Sequence, residues 1–146
     1  MRLVIDASVL VGDLLRAAGR LRIGDARLEL FVPEQMREEA QVEVRRRVAA
    51  FAGQRGLDAS AAEALASSVL EAVDANIGVV DRAVYAAYED EARSRSVRDR
   101  FDWPLVACAL ALDAGVWTHD ADLFGTGVAT WGSVSLQAWL DRHPAG

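Results

Sequence analysis

Short apolar runs alternate with longer helix-forming segments along this chain. Buried strands are predicted by the apolar runs at residues 2–5, 28–32, 77–80 and 115–118. Helices are predicted by the composition and periodicity of residues 7–18, 33–52, 59–74, 81–93 and 101–114. Strands that alternate with helices predict an α/β fold with a mostly parallel central sheet and helices on both of its faces.

Local signals refine the ends of these elements. Pro33 is expected at the first position of the longest helix, because its ring fixes a helical backbone angle. Ser60 and Glu63, three residues apart, have the pattern of a capping box. Near the carboxyl terminus we expect weak strands and then a closing helix, at residues 128–131, 134–136 and 135–142.

The length of 146 residues and the absence of a linker or repeat predict a single domain spanning residues 1–146. The hydrophobic fraction is 52% and the charged fraction 26%, as in an ordinary globular protein. Cys108 is the sole cysteine, which excludes an internal disulfide. Asp6 interrupts the start where a signal peptide needs apolar residues, and the longest uncharged run, residues 123–140, contains glycines and polar residues. We therefore expect a cytoplasmic protein with no membrane span.

The charge balance narrows the classes of partner. The chain has 22 Asp and Glu residues against 16 basic ones, all of them arginine, and its net charge is −6. This balance disfavours a histone-like protein that attracts nucleic acid over its whole surface, but it leaves room for a local path of arginines. Residues 45–47 form the strongest basic run, although on a helix the three arginines point in different directions.

Acidic residues gather at one predicted edge of the sheet. Asp6 directly follows the first strand, and Asp120 and Asp122 follow the strand at residues 115–118. Asp102 begins the helix that leads into that strand. Sites in parallel α/β sheets form beyond the carboxyl ends of the strands, so we expect these acids to lie near one another.

The long helix after Pro33 offers one more acid. Glu39 and Glu43 are four residues apart and share a helix face, whereas Glu38 points to the opposite flank. Each acid of the chain, taken alone, has an ordinary structural explanation as a cap, a turn former or a solvated residue. Taken together, the acids favour a functional site, because acidic residues of separate elements are predicted at one edge of the sheet.

Crowded carboxylates resist ionisation unless a cation neutralises them. A hard divalent ion such as Mg²⁺ accepts oxygen ligands, and a set of carboxylates with few His or Cys residues favours Mg²⁺ or Mn²⁺ over Zn²⁺. His119 is a further candidate ligand or a neighbour of the acids. The four tryptophans are candidates for base stacking or for core packing, at positions 103, 117, 131 and 139.

Four segments resemble the motifs of PIN-domain nucleases, in the family's order. The first is Val-Ile-Asp-Ala-Ser-Val-Leu at residues 4–10, and the second is Phe-Val-Pro at residues 31–33 with Glu39 six residues after the proline. The third is Asp-Trp-Pro-Leu-Val-Ala at residues 102–107, and the fourth is Trp-Thr-His-Asp-Ala-Asp-Leu-Phe-Gly at residues 117–125. The resemblance covers nearly the whole chain.

The resemblance implies a three-layer α/β/α sandwich and a metal-dependent endoribonuclease that uses Mg²⁺ or Mn²⁺ to hydrolyse RNA. It would make Asp6, Glu39, Asp102 and Asp120 the catalytic metal-binding acids, with Asp122 as an auxiliary acid. The Glu38–Glu39 doublet allows the second motif to begin one residue earlier, although the helical wheel favours Glu39. Many small bacterial PIN proteins are VapC-like toxins held by an antitoxin protein, and a homodimer is expected because two-fold dimers are the commonest oligomers.

Two other classes stay open beside the nuclease. A non-catalytic PIN-like binding module would keep the acids as a partner surface. A phosphoryl-handling α/β protein also places an Asp after its first strand, but the phosphatase type needs a second Asp where this chain has Ser8, and both common types use a lysine that this chain lacks. Cys108 lacks an evident partner histidine, which argues against thiol catalysis.

Overall fold

Five parallel strands form the centre of the computed structural model, which describes residues 1–145. The strands lie in the order β3-β2-β1-β4-β5, and all four pairings between neighbours are parallel. Their bounds are β1 (Arg2–Ile5), β2 (Glu29–Pro33), β3 (Ile77–Val80), β4 (Gly115–Trp117) and β5 (Thr130–Trp131). The predicted α/β class with a parallel sheet is therefore confirmed.

Helices fill the connections between the strands. They are α1 (Ala7–Leu14), α2 (Ala17–Ile23), α3 (Glu34–Gln54), α4 (Ala59–Asn76), α5 (Arg82–Tyr85), α6 (Glu89–Arg95), α7 (Trp103–Leu112) and α8 (Ser133–Arg142). Short 3-10 turns occur at Ala86–Tyr88, Arg100–Asp102 and Ala121–Leu123. No helix within residues 1–145 is both long and apolar enough to cross a membrane.

Three predictions about where helices begin or end are wrong, because local capping groups and backbone breaks set these positions and the periodic pattern does not show them. The predicted helix at residues 7–18 is divided at Arg16, whose backbone is extended (φ −112°, ψ 140°). Asp58, not Ser60, caps α4, since its Oδ1 accepts the Ala61 N–H at 2.7 Å. Pro33 precedes its helix instead of starting it, as the last residue of β2.

Residues 134–136 were predicted as a strand and lie in α8 instead. Ser135 explains the difference, because its Oγ accepts the Gly132 N–H at 3.1 Å and donates to the Gly132 carbonyl at 2.9 Å. These two bonds fix the first turn of the helix. Leu136 and Leu140 are then buried on one face, four residues apart.

The two faces of the sheet bury separate apolar clusters, as alternation along a strand requires. In β1, Leu3 and Ile5 contact the cluster formed with α1 to α4 and α8, whereas Val4 contacts the cluster formed with α5 to α7. All three side chains are fully buried. The molecule is therefore a three-layer α/β/α sandwich.

Strand β1 lies between β2 and β4, and the chain reverses its direction of progress across the sheet at this point. Such a topological switch leaves a crevice beyond the carboxyl ends of the two diverging strands. The Asp6 N–H donates to the Trp117 carbonyl at 3.0 Å, so pairing continues one residue beyond β1. The residues that follow β1 and β4 are thereby held side by side.

Candidate active site

Asp6 ends β1 and caps the amino terminus of α1. Its Oδ1 accepts the Ser8 N–H at 3.3 Å, and its Oδ2 accepts the hydroxyls of Ser8 at 2.9 Å and Thr118 at 2.7 Å. The carboxylate is therefore both a helix cap and a fixed group at the crevice. Three donors hold its orientation.

Thr118 joins the two strand ends. Its side chain is buried, and its hydroxyl donates to Asp6 while accepting the Asp120 N–H at 2.9 Å. Asp120 Oδ1 in turn accepts the Asp122 N–H at 2.8 Å and caps the 3-10 turn that follows. Sequence reasoning missed Thr118, although a threonine two residues before an aspartate at a strand end is a signal for this local bond.

Asp102 is half-buried where α7 begins, but its side chain does not cap that helix. Its Oδ2 is buried and has no hydrogen-bond partner within residues 1–145. Burial, together with the smaller effects of the charges on Asp99, Asp120, Asp6 and Asp122, raises the pKa of Asp102 from 3.8 to about 7. The structure therefore brings Asp102 near the acids that follow β1 and β4.

Glu39 and Glu38 are both exposed in the second turn of α3. Neither is among the charges that raise the pKa of Asp102, and neither forms an ion pair within the described residues. Glu43 is held elsewhere, because Arg46 and Arg47 donate to its carboxylate at 2.8 and 2.7 Å and lower its pKa to about 2. Glu39 therefore makes no contact within the described residues that ties it to the crevice acids, and its assignment as a metal ligand stays a prediction.

A divalent cation fits the donors at the crevice. They are carboxylate and hydroxyl oxygens, the ligands that Mg²⁺ and Mn²⁺ prefer, and the unpaired Asp102 Oδ2 is the oxygen in need of a positive partner. Within residues 1–145, however, no three Asp, Glu, His or Cys side chains lie close enough together to hold an ion as they stand. Ion binding would require the carboxylates to move towards one another, which their mutual repulsion opposes until a cation is present.

His119 is exposed and contacts a separate, partly buried hydrogen-bond network. Its Nε2 lies 2.7 Å from Ser133 Oγ, which donates to Asp13 Oδ2 at 3.0 Å and accepts the Trp117 Nε1–H at 3.1 Å. Asp13 is buried and forms an ion pair with Arg22 at 3.2 Å. Because Asp13 contacts Ser133 and not His119, the three groups do not form a catalytic triad.

Most of the other candidates serve packing or ion pairing. Trp103 and Trp117 are buried, Trp131 and Trp139 are half-buried, and burial raises the pKa of the Cys108 thiol to about 12. The arginines at positions 45–47 pair with acids of α3 and α4. The aromatic rings that are mainly exposed belong to Phe101 and Phe124, at 87% and 59% exposure.

Comparison with known proteins agrees with this architecture. A family model described as PIN domain matches residues 4–141, which include the second half of β1, the crevice acids and nearly all of α8. No curated protein matches the chain. The chain therefore belongs to the PIN domain family, and its fold is of the nuclease type.

Proposed function

We propose that this protein is a metal-dependent endoribonuclease that hydrolyses RNA phosphodiester bonds. The observation that carries the proposal is the buried, unpaired Oδ2 of Asp102 among the carboxylates that follow β1 and β4. A buried oxygen without a partner costs free energy in the folded state. Strained or unpaired polar groups of this kind are concentrated at functional sites, and a cation would satisfy this one.

Asp6, Asp102 and Asp120 would hold the cation, with Asp122 as an auxiliary acid and Glu39 supplied by α3. Mg²⁺ or Mn²⁺, when bound there, supplies Lewis-acid polarisation of water and of the scissile phosphate. Ser8 and Thr118 hold the Asp6 carboxylate in one orientation, and Asp122 contributes its N–H to do the same for Asp120. These contacts position the acids before a substrate arrives.

The chain favours direct attack by water over a covalent enzyme intermediate. The Cys108 thiol is buried with its pKa raised to about 12, so it supplies almost no thiolate near neutral pH. The Ser133 hydroxyl donates its one proton to Asp13 and not to the neighbouring His119 Nε2, so the imidazole is not placed to activate it as a nucleophile. In the proposed reaction a water oxygen bonds to phosphorus, the ester bond to the leaving oxygen breaks, and that oxygen takes up a proton.

A non-catalytic PIN module is the second candidate. The observation in its favour is that, in the part of the chain that the structure describes, no three potential ligands lie within reach of one ion. A calorimetric titration with Mn²⁺ separates the two candidates. Heat of binding that disappears in Asp6→Asn supports the nuclease, whereas an absence of binding supports the module.

Cleavage of a mixed panel of structured and unstructured RNAs tests the proposed activity directly. We expect fragments in Mg²⁺ or Mn²⁺ and none in EDTA, with activity restored when the metal is returned. Protein for the assay should first be freed of any bound partner, because we also propose a VapC-like toxin that an antitoxin protein inhibits. Inhibition by the product of the adjacent gene and a two-fold dimer in sedimentation would support those finer assignments.

A further inference from the structure

Two exposed aromatic rings flank the crevice acids. Phe101 immediately precedes Asp102 and is 87% exposed, and Phe124 comes two residues after Asp122 and is 59% exposed. A large apolar side chain in water forgoes the stabilisation that burial would give it. Their place next to the crevice acids distinguishes these two rings from the other exposed apolar side chains of the molecule.

The backbone holds both rings outside the core. The Phe101 N–H donates to Asp99 Oδ1 at 2.8 Å, and the side chain of Trp103, two residues later, is buried. The Phe124 N–H donates to the Ala121 carbonyl at 3.1 Å, directly after the fully buried Leu123. Hydrogen-bonded turns next to buried anchors therefore keep both rings outside the core before a ligand binds.

Two arginines, Arg98 and Arg100, lie in the segment directly before Phe101. Arg98 Nη1 lies 3.4 Å from the Ala121 carbonyl and 3.9 Å from Asp122 Oδ1, so it connects the segment that carries Phe101 with the turn that precedes Phe124. Arg100 is exposed, and within residues 1–145 its guanidinium forms no hydrogen bond or ion pair. Arginines with donors to spare, beside exposed rings, are complementary to a strand of phosphates and unstacked bases.

We propose that Phe101 and Phe124 form a stacking platform for unpaired RNA bases next to the scissile phosphate, while Arg98 and Arg100 contact the backbone phosphates. This inference rests on the proposed nuclease function and adds to it the residues that would contact the substrate. Bases inside a duplex are already stacked, so the platform selects single-stranded RNA, loops and ends. Every base has a π face, so the rings tolerate many sequences.

Steady-state cleavage kinetics test the platform with two probes, a short fluorescein-labelled single-stranded RNA of mixed sequence and the same strand annealed to its complement. We expect the single strand to be preferred. Phe101→Ala and Phe124→Ala should each raise KM for it by about five- to a hundredfold, the cost of one lost base stack, with a smaller change in kcat. Phe101→Trp should resemble the wild type, and Phe101→Leu, which keeps apolar area without the π face, should resemble Phe101→Ala.

Exposed apolar residues on the other side of the sheet provide matched controls. Leu21 on α2 and Val42 on α3 are 77% and 68% exposed, and their alanine variants should keep the wild-type KM. Arg100→Gln should weaken the dependence of KM on salt by about one phosphate contact. Unchanged melting temperatures would verify that each variant is folded.

The outcomes separate this inference from the function on which it rests. If the wild type cleaves the single strand but Phe101→Ala and Phe124→Ala keep its KM, the stacking platform is wrong. Wild-type kinetics in Phe101→Leu would also contradict stacking. If the wild type cleaves no RNA in any metal, the nuclease function fails and the platform fails with it.

Discussion

The Thr118 hydroxyl donates a 2.7 Å hydrogen bond to Asp6 Oδ2 across the gap between β4 and β1. The Thr118 hydroxyl oxygen also accepts the Asp120 N–H, so a single buried side chain orders acids from two strand ends. Thr118→Val keeps the shape but removes the hydroxyl. We expect Mn²⁺ affinity to fall about 10- to 100-fold, as for other residues that orient metal ligands.

The same substitution leaves the Asp120 N–H without its partner, which should lower the free energy of unfolding by about 1–3 kcal/mol. Calorimetric titration and urea denaturation measure the two effects. Thr118→Ser keeps the hydroxyl and should retain most of the Mn²⁺ affinity. Equal affinity in Thr118→Val and the wild type would show that the bond does not position Asp6.

Asp102→Asn should stabilise the metal-free protein. Burial and, to a smaller extent, the neighbouring carboxylates raise the pKa of Asp102 to about 7, and the neutral replacement removes both costs of the charged form. In EDTA at pH 8 we expect a higher melting temperature than in the wild type. The increase in melting temperature that Mg²⁺ gives the wild type should disappear. Asp113→Asn, at an exposed helix end, is the control. An equal increase in melting temperature in this variant would show that crowding of carboxylates around Asp102 is not the cause.

The pair Asp25–Arg27 predicts acid sensitivity at the carboxyl terminus. Arg27 donates to Asp25 at 2.8 Å and to the Leu140 carbonyl of α8 at 2.8 Å, and its hydrogen bonds lower the pKa of Asp25 from 3.8 to about 2. A lowered pKa means that the folded state holds the proton less tightly than the unfolded state. The pair therefore contributes stability above pH 4 and loses it as the pH falls towards 2.

Urea denaturation of Asp25→Asn should show a lower midpoint than the wild type at pH 7. The difference between the two midpoints should narrow between pH 4 and pH 2, where Asp25 becomes protonated in the wild type. The difference between the midpoints should be small, because solvent screens this partly exposed ion pair. The two proteins are therefore compared in one buffer series at constant salt. A difference in midpoint that stays constant down to pH 2 would show that the charge of the Asp25 carboxylate does not stabilise the folded protein.

Glu39→Gln should abolish metal-dependent cleavage, while Glu38→Gln should leave it nearly intact. The prediction depends on the spacing from Pro33 and on the helical wheel, because both side chains are exposed on α3. The two variants are matched in chemistry and differ by one position. Loss of activity in Glu38→Gln alone would show that the second motif begins one residue earlier.

The sequence predicts the sheet and its acidic edge because both depend on simple patterns. Continuous apolar runs identify β1 and β4 as strands buried on both faces, and the carboxyl ends of parallel strands meet at one edge. That edge contains Asp6 and Asp120. Local capping, in contrast, depends on competition between nearby hydroxyl and carboxylate groups, which is why Asp58 replaces Ser60 as the cap of α4.

The distances between the side chains of the site cannot be predicted from sequence patterns. Glu39 and Asp6 belong to elements whose positions were predictable, yet the distance between their carboxylates depends on rotamers and on mutual repulsion. Thr118 was missed because a buried threonine at a strand end has ordinary β propensity and no charge. The exposure of Phe101 and Phe124 was also invisible, since an aromatic residue in a sequence is more often buried than exposed.

We infer that Asp6, Asp102 and Asp120 hydrolyse RNA together with a divalent ion. The most direct test compares wild type, Asp6→Asn and Asp113→Asn on a single-stranded RNA in Mg²⁺, with folding checked by circular dichroism. Asp113→Asn makes the same chemical change at an exposed position in the left-handed backbone region (φ 48°), which Asn tolerates. We expect cleavage by the wild type and Asp113→Asn, and none by folded Asp6→Asn. Undiminished cleavage by Asp6→Asn, or full cleavage in EDTA, would contradict the account.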